Sequence, residues 1–476
     1  MSAPPECGEG KAKVIVFYPG CELRPRPAFV EVPIERKRPV VEVKEEVEVK
    51  LDVGFRHVHQ VADPVVSSFF NSDDPFIQET VLPNIERYRK SDATVTLLSA
   101  DGEPVEDASV SVHLKRHEFH FGCAPRRELA IDGPYRKVWS DLWEYAVPEN
   151  AQKWASIERS EDVRDYETSD AIVDYLRSKG CPIEYHFLSG YHPEWIKEKL
   201  PEEQARLQRR HMLETVERYR DSVDYFQVYN EFWRCPVSRA DAFVPSKEFF
   251  EELTTTYTDL EFGVSDCWRL NEPLPTEEEM LERFPGLDFI AIHAHRPRRL
   301  SVEPSVIYEC LDPYKDSDIK LHISEFGIRE GTIQHADHME PDWSISNADQ
   351  PDEGDGPAWT EERKSEYFVQ TIMTCFSHPS VRAFNLWGMG PGNMFMDGNR
   401  LIDEDYAPLP TYDVIRSLLK EKLMTRGSGT TDAEGQLSFR GFHGVYLVTV
   451  TMPDGDLFEK SATISAENPN VIITSE

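Results

Sequence analysis

The chain of 476 residues contains no run of about 18 apolar residues, the length a helix needs to cross a bilayer, so no membrane span is expected. It also lacks any Cys-x-x-Cys pair. The eight cysteines (Cys7, Cys21, Cys123, Cys181, Cys235, Cys267, Cys310 and Cys375) are scattered, which argues against zinc ribbons and redox motifs and for mostly buried thiols. No Gly-rich phosphate loop follows the first barrel-like strand, which disfavours an open dinucleotide-binding sheet. Positive charge is scarce: 52 Lys and Arg face 86 Asp and Glu, a formal net charge of −34. Such a surface repels phosphate backbones and anionic lipid, so neither nucleic acid nor a membrane is expected as partner. The opening Met1-Ser2-Ala3-Pro4-Pro5-Glu6-Cys7 has no basic stretch followed by an apolar one, so no signal peptide is read. The chain is then cytoplasmic, or secreted with its leader already removed. Apolar material is not lacking: 39% hydrophobic and 11% aromatic residues can build a large core.

Residues 1–90 read as a β-rich region with one short helix. From Val41 to Val53 apolar and charged residues alternate with one break at Glu45, the period of a strand with one wet face. Ala12–Tyr18 and Ala28–Ile34 are further strand candidates, and Pro75–Arg89 carries Ile77, Val81, Ile85 and Tyr88 at helical spacing. Residues 91–117 predict a β-hairpin, Ala93–Leu98 and Ala108–Leu114 about an Asp101-Gly102 turn. Over 118–424 eight short strands alternate with amphipathic helices: Phe119–Cys123, Tyr145–Val147, Ile183–Leu188, Tyr225–Tyr229, Glu261–Val264, Phe289–Ile292, Lys320–Ser324 and Ala383–Leu386. That pattern predicts an α/β fold, a (β/α)8 TIM barrel, with the β-rich N-terminal region and a small C-terminal β-domain at 425–476 as accessories. Gly427-Ser428-Gly429 reads as a turn or linker, followed by strands Leu437–Arg440, Tyr446–Thr451 and Val471–Thr474.

In such a barrel reactive groups sit at the C-terminal ends of strands. Those positions hold Glu149, Asn150 and Lys153 after strand two, then His186, Tyr191 and His192 after strand three. Asn230 and Glu231 follow strand four, Asp266 strand five, His293 and His295 strand six, Glu325 strand seven, and Trp387 strand eight. A carboxylate directly after an apolar strand is costly unless it is paired or put to work. Glu231 and Glu325 are two such groups on opposite sides of the barrel mouth. Two facing carboxylates, one protonated and one ionised, are the equipment for cleaving a glycosidic bond.

These residues form a text that resembles glycoside hydrolase family 10, whose members are mostly endo-β-1,4-xylanases on an eight-stranded barrel. The likeness rests on Glu149-Asn150-Ala151-Gln152-Lys153-Trp154, Asn230-Glu231, Ile323-Ser324-Glu325-Phe326, Trp387-Gly388, the segment Leu401 to Tyr412, and Phe439-Arg440-Gly441-Phe442-His443-Gly444, in that order. The resemblance implies a retaining endo-glycosidase that hydrolyses β-1,4-xylan or a related plant polysaccharide by double displacement, with Glu231 as acid/base and Glu325 as nucleophile. It also implies that Glu149, Asn150, Lys153, Asn230 and Trp387 bind the sugar chain. His186 and Tyr191, with His192, are alternatives for a family histidine after strand three, and His295 matches a histidine on strand six. No cofactor and no metal ligand are expected; the partner is the polysaccharide or an oligosaccharide. The alternatives are a related barrel hydrolase acting on another β-glycan and a barrel that binds a glycan without cutting it.

The chain departs from the family pattern in four places. The segment Tyr185 to Pro193 lacks a tryptophan, His293 stands for a glutamine, Gly327 for an aspartate, and Pro391-Gly392-Asn393-Met394 for a second tryptophan. These changes bear on sugar identity more than on reaction type. The acidic stretch 344–356, with Trp343 and Trp359 beside it, reads as a solvated loop or a substrate lid on the catalytic face. Its Pro351 and Gly354 break calcium-ligand spacing, and His335 and His338 read as surface residues.

Overall fold

The computed structural model describes residues 12–14, 30–32, 55–58, 62–232, 246–330, 357–391 and 396–475, and the backbone alone at 12–14, 30–32 and 296–298. The strand expected at Val41–Val53, the acidic stretch 344–356 with Trp343, and His335 and His338 lie outside these residues. The chain divides into two units, Met1–Asp52 and Val53–Glu476. In the first, β1 (Ala12–Val14) pairs antiparallel with β2 (Val30–Val32), with Lys13 opposite Glu31.

The second unit is built on a curled parallel sheet of seven strands. In chain order these are β6 (His120–Cys123), β7 (Glu184–Ser189), β8 (Tyr225–Tyr229), β9 (Glu261–Asp266), β10 (Phe289–Arg298), β11 (Lys320–Arg329) and β12 (Val381–Leu386), hydrogen-bonded in the order β6-β12-β11-β10-β9-β8-β7. The eighth expected strand, Tyr145–Val147, makes no ladder. It joins the two edges by single bridges, Tyr145 to Gly122 of β6 and Ala146 to Ile183 just before β7. A segment this short, stopped by Pro148, has too few backbone groups for more. All residues of β7 and β8 are buried, as parallel strands covered by helices require. The helix Pro201–Tyr219 starts on a proline, whose missing N–H is not needed there, and buries Leu207, His211, Met212, Thr215, Val216 and Tyr219 along one face. Helix Glu277–Arg283 begins with a capping box in which Thr276 and Glu279 satisfy each other's backbone.

The strands flanking the barrel correct two expectations. β4 (Lys90–Leu98) and β5 (Ser109–His117) do not pair with each other. The turn closes with one bridge, Leu98 to Pro104, and Pro104 has no N–H to extend the ladder. β5 then enters a five-stranded sheet, β16-β15-β5-β13-β3, while β4 lies in a three-stranded sheet, β14-β4-β17. The remaining strands are β3 (Arg56–His57), β13 (Arg426–Thr430), β14 (Gln436–Phe442), β15 (Gly444–Thr451), β16 (Leu457–Ile464) and β17 (Asn470–Thr474). Val95 and Leu97 of β4 join Val110 and Val112 of β5 in one core, and Phe439 of β14 meets Tyr446 of β15 with ring centroids 5.9 Å apart. The apolar rows thus meet face to face rather than side by side. Segments 91–117 and 425–475 contribute strands to both sheets.

The second correction concerns Gly427-Ser428-Gly429, which is not a linker but the middle of β13, paired with β5 on one side and β3 on the other. Its glycine marks close approach: a Cβ on Gly427 would lie 2.4 Å from the Phe55 ring and the Arg56 carbonyl.

Three buried histidines outside the barrel mouth, His117, His211 and His378, have pKa values pushed down to about 3, chiefly by burial and then by nearby cations such as Lys420, Arg164 and Arg89 respectively. Each is neutral when folded and regains a pKa near 6.5 when unfolded. Their contribution to stability is complete above about pH 6.5 and falls as the pH drops toward 3, on the order of 1 kcal/mol per histidine per pH unit. His211, stacked on Trp154 at 4.6 Å, is the test position. His211→Gln is expected to flatten the fall in melting temperature between pH 6.5 and 5. Parallel curves for wild type and variant would contradict this.

Candidate active site

The C-terminal ends of β7 to β12 bring the expected residues to one place. In the β10–β11 register His293 stands opposite Glu325 and His295 opposite Gly327, so the two histidines, two residues apart on one face, both reach the same carboxylate. Glu231 follows β8 with a left-handed backbone (φ 47°), held by Ser265 Oγ, which lies 3.2 Å from its N–H. A Cβ on Gly327 would lie 2.3 Å from Met396 Sδ, so any larger residue there requires the Met396 side chain to move.

Glu231 and Glu325 are both buried, at 8% and 4% exposure. His293 links them. Its Nδ1 is 2.9 Å from Glu231 Oε1, and its Nε2 is 3.4 Å from Glu325 Oε1. Glu325 also has His186 Nε2 at 3.2 Å from Oε1 and His295 Nε2 at 2.8 Å from Oε2. Cys267 Sγ donates to Glu231 Oε1 at 3.2 Å. Burial raises the Glu325 carboxyl well above the usual range, and the neighbouring Glu231 and Glu149 add to this while His293 and Lys153 oppose it. Burial acts the same way on Glu231, but the hydrogen bond from His293, the charges on His293 and His295 and the Cys267 thiol outweigh it and hold that carboxyl low. Glu231, His293, His295 and Glu325 each offer a ligand atom, all within 4.8 Å of one another, although no Cys or His motif in the sequence announced a metal-ligand set.

The other expected residues divide. Glu149 is half-buried and Asn150 exposed. Lys153 donates to Asn150 Oδ1 at 2.9 Å rather than pairing with Glu149, and its ammonium lies 4.5 Å from the Tyr191 ring centroid. It faces Glu325, Glu149 and Glu231, whose charges support its own against the lowering effect of burial. Tyr191 is half-exposed, at 50%. Of the three alternatives after strand three, His186 is the one that reaches Glu325. His192 turns away to the Trp154 ring, 5.7 Å between centroids. Trp387 is buried edge-on to His186 at 5.1 Å. Asn230 Oδ1 accepts from Gln227 Nε2 at 2.9 Å and from Ser265 Oγ at 3.2 Å. Trp359 stacks on Tyr367 at 5.3 Å, packed against the core.

Sequence reasoning missed the groups that hold these residues in place. Gln227 Oε1 accepts from His186 Nδ1 at 3.0 Å, and Gln227 Nε2 also donates to Ser265 Oγ. Deeper in the barrel the buried Glu184 accepts from Tyr145 OH at 2.6 Å, His322 Nδ1 at 2.8 Å and Ser324 Oγ at 2.8 Å. A polar residue inside an otherwise apolar strand was the available signal for Gln227 and Glu184.

The family model of glycosyl hydrolase family 10 matches residues 110–262, which include Glu149 to Lys153, His186, Asn230 and Glu231 but not Glu325. The chain is 24% identical over 408 residues to the anti-sigma-I factor RsgI6 of Acetivibrio thermocellus, covering 80% of this chain and 49% of that protein. It thus spans about half the length of that relative. It is 21% identical over 349 residues to endo-1,4-beta-xylanase B of Thermotoga neapolitana, covering 67% of this chain and 94% of that one. Among solved structures, the endo-1,4-beta-xylanase XylE of Penicillium canescens superimposes with a TM-score of 0.50 at 15% identity, covering 64% of this chain and 96% of that chain. The last likeness concerns the fold. The chain is thus similar to glycoside hydrolase family 10 over residues 110–262 and to endo-1,4-beta-xylanases among its curated relatives.

Proposed function

We infer from this kinship and from the site that the chain is a retaining endo-glycosidase on a (β/α)8 barrel, acting on β-1,4-xylan or a closely related plant polysaccharide. The observation that carries the reading is the closeness of the two buried carboxylates: an oxygen of one lies within 4.8 Å of an oxygen of the other. Retaining glycosidases keep the pair at about 5–5.5 Å, so that one attacks the anomeric carbon directly, whereas inverting enzymes leave about 6.5–9.5 Å for a water.

In the first step a Glu325 oxygen bonds to the anomeric carbon as the bond to the leaving sugar oxygen breaks, and Glu231 gives that oxygen its proton. In the second, Glu231 takes a proton from water, the water oxygen bonds to the anomeric carbon, and Glu325 leaves as a carboxylate. With its Oδ1 engaged by Gln227 and Ser265, Asn230 has its amide N–H groups to offer the sugar. Lys153, Asn150 and Glu149 supply hydroxyl partners on one side of the cleft, with Tyr191 and Trp387 as apolar surfaces for sugar rings.

The deciding experiment follows xylohexaose with the protein by proton NMR. Early appearance of β-anomeric product supports both substrate class and retention; α-anomer first would overturn the mechanism. Glu231→Ala is expected to slow substrates with poor leaving groups by about 10²–10⁴ and those with good ones far less. Equal losses across a leaving-group series would argue against the acid/base role.

One observation favours a second reading, a barrel that binds a glycan without cutting it. The site holds Glu325 toward the protonated form and Glu231 toward the ionised one, the reverse of what the first step needs. Saturable binding of xylohexaose with no product after days would decide for the binder.

A further inference from the structure

We propose that His293, His295 and Glu325 form a binding site for one divalent transition-metal ion of zinc's class, with Glu231 orienting His293. The argument begins with hydrogen-bond roles. The Glu231 carboxylate accepts from His293 Nδ1, so in the neutral imidazole, the form that can ligate a metal, Nε2 presents a lone pair. Nε2 makes no hydrogen bond among the described residues, His293 is fully buried, and the nitrogen points at Glu325 Oε1 from 3.4 Å. His186 repeats the arrangement. Gln227 Nε2 donates to Asn230 and Ser265, which fixes Gln227 Oε1 as the acceptor for His186 Nδ1. His186 Nε2 is therefore also a lone pair, 3.2 Å from the same Glu325 oxygen.

With the imidazoles neutral, the Nε2 atoms of His186 and His293 converge on Glu325 Oε1, and His295 Nε2 lies 2.8 Å from Glu325 Oε2. Acceptors crowded in this way need a positive centre: a proton on Glu325 or on an imidazole, or a bound cation. The donor set suits the cation. Two imidazoles and a carboxylate are the protein ligands of several catalytic zinc sites, where ligand–metal distances of about 2.0–2.2 Å put ligands about 3.4 Å from one another. Here His293 Nε2 to Glu325 is 3.4 Å and His295 Nε2 to Glu325 is 2.8 Å. All candidate ligand atoms lie within 4.8 Å of one another, so small side-chain shifts complete the polyhedron. A ligating histidine whose other nitrogen donates to a carboxylate is the usual outer-shell arrangement, and Glu231 supplies it. Nitrogen ligands favour zinc, copper or nickel over magnesium or calcium. The binding claim stands on geometry alone. Its consequence rests on the hydrolase reading: a metal on Glu325 occupies the nucleophile, so the ion would switch hydrolysis off reversibly.

The test uses the full chain, freed of metal with a chelator and titrated calorimetrically with zinc chloride in millimolar magnesium, which saturates the acidic surface. One ion per chain at micromolar or tighter affinity is expected, and cobalt(II) should give the intense visible absorption of a four-coordinate site. His295→Gln should weaken zinc binding by roughly a hundredfold, and Glu231→Gln by about 10–100-fold. Absence of saturable zinc binding, only the pale spectrum of six-coordinate cobalt, or affinity unchanged in His295→Gln would each overturn the site, with the wild-type spectrum deciding if the variants fail to fold. Zinc binding without xylan hydrolysis at any metal level would leave the site standing and remove the hydrolase reading.

Discussion

Glu325→Gln is expected to lower xylan hydrolysis by a factor on the order of 10⁴ or more while leaving the fold and sugar binding in place. The amide cannot attack the anomeric carbon, and a group that acts in concert with its partner takes most of the rate with it when removed. The fold should tolerate the change for a reason specific to this site. Glu325 is buried, and its Oε1 faces Nε2 of His186 and of His293 at 3.2 and 3.4 Å. A glutamine of the same size offers N–H donors to those rings and carries no ionisable group for burial to disfavour. The melting temperature should stay level or rise. Measuring kcat, xylo-oligosaccharide affinity and melting temperature separates the effects. Turnover within tenfold of wild type would remove Glu325 from the nucleophile role, and a large loss of stability would contradict the account of its surroundings.

Glu184→Ala should have the largest effect on stability, a loss of about 3 kcal/mol or more. The side chain is fully buried and accepts hydrogen bonds from Tyr145, His322 and Ser324. Its removal strands three donors, and a buried polar group left unsatisfied costs about 1–3 kcal/mol. The change also reaches the active site. Tyr145 belongs to the segment that bridges the sheet edges, and Ser324 precedes Glu325, so hydrolysis should fall as well although Glu184 lies outside the hydrogen bonds of Glu231 and Glu325. The midpoint of urea unfolding measures the first effect. Glu184→Gln, which keeps the volume and one carbonyl acceptor, should lose less. A shift of less than about 1 kcal/mol in the alanine variant would show that the three donors find other partners.

The barrel strands were legible because each is a short apolar run between helical patterns. β8 begins and ends where the sequence reading put it, and the other ladder strands agree within a few residues at their starts. The ends of β10 and β11 ran longer than expected, Phe289–Arg298 and Lys320–Arg329, because their pairing continues past the site residues through register shifts. Glu231 and Glu325 stood out as carboxylates after apolar runs, a local property that needs no knowledge of neighbours. By contrast, β13 carries two glycines in five residues and looks like a turn. Only its two partner strands make it a strand.

What the sequence determined by itself is what depends on spacing along the chain: the alternation of strand and helix, and the placing of Asn230, Glu231 and Trp387 just after strands, whereas Glu325 lies inside β11. The tertiary structure alone decided which of those groups meet. That β4 and β5 part into different sheets, that His186 rather than His192 faces Glu325, and that His293 stands between both carboxylates are contacts between residues far apart in sequence. They follow from the curl of the sheet and its registers, and no periodicity along the chain encodes them.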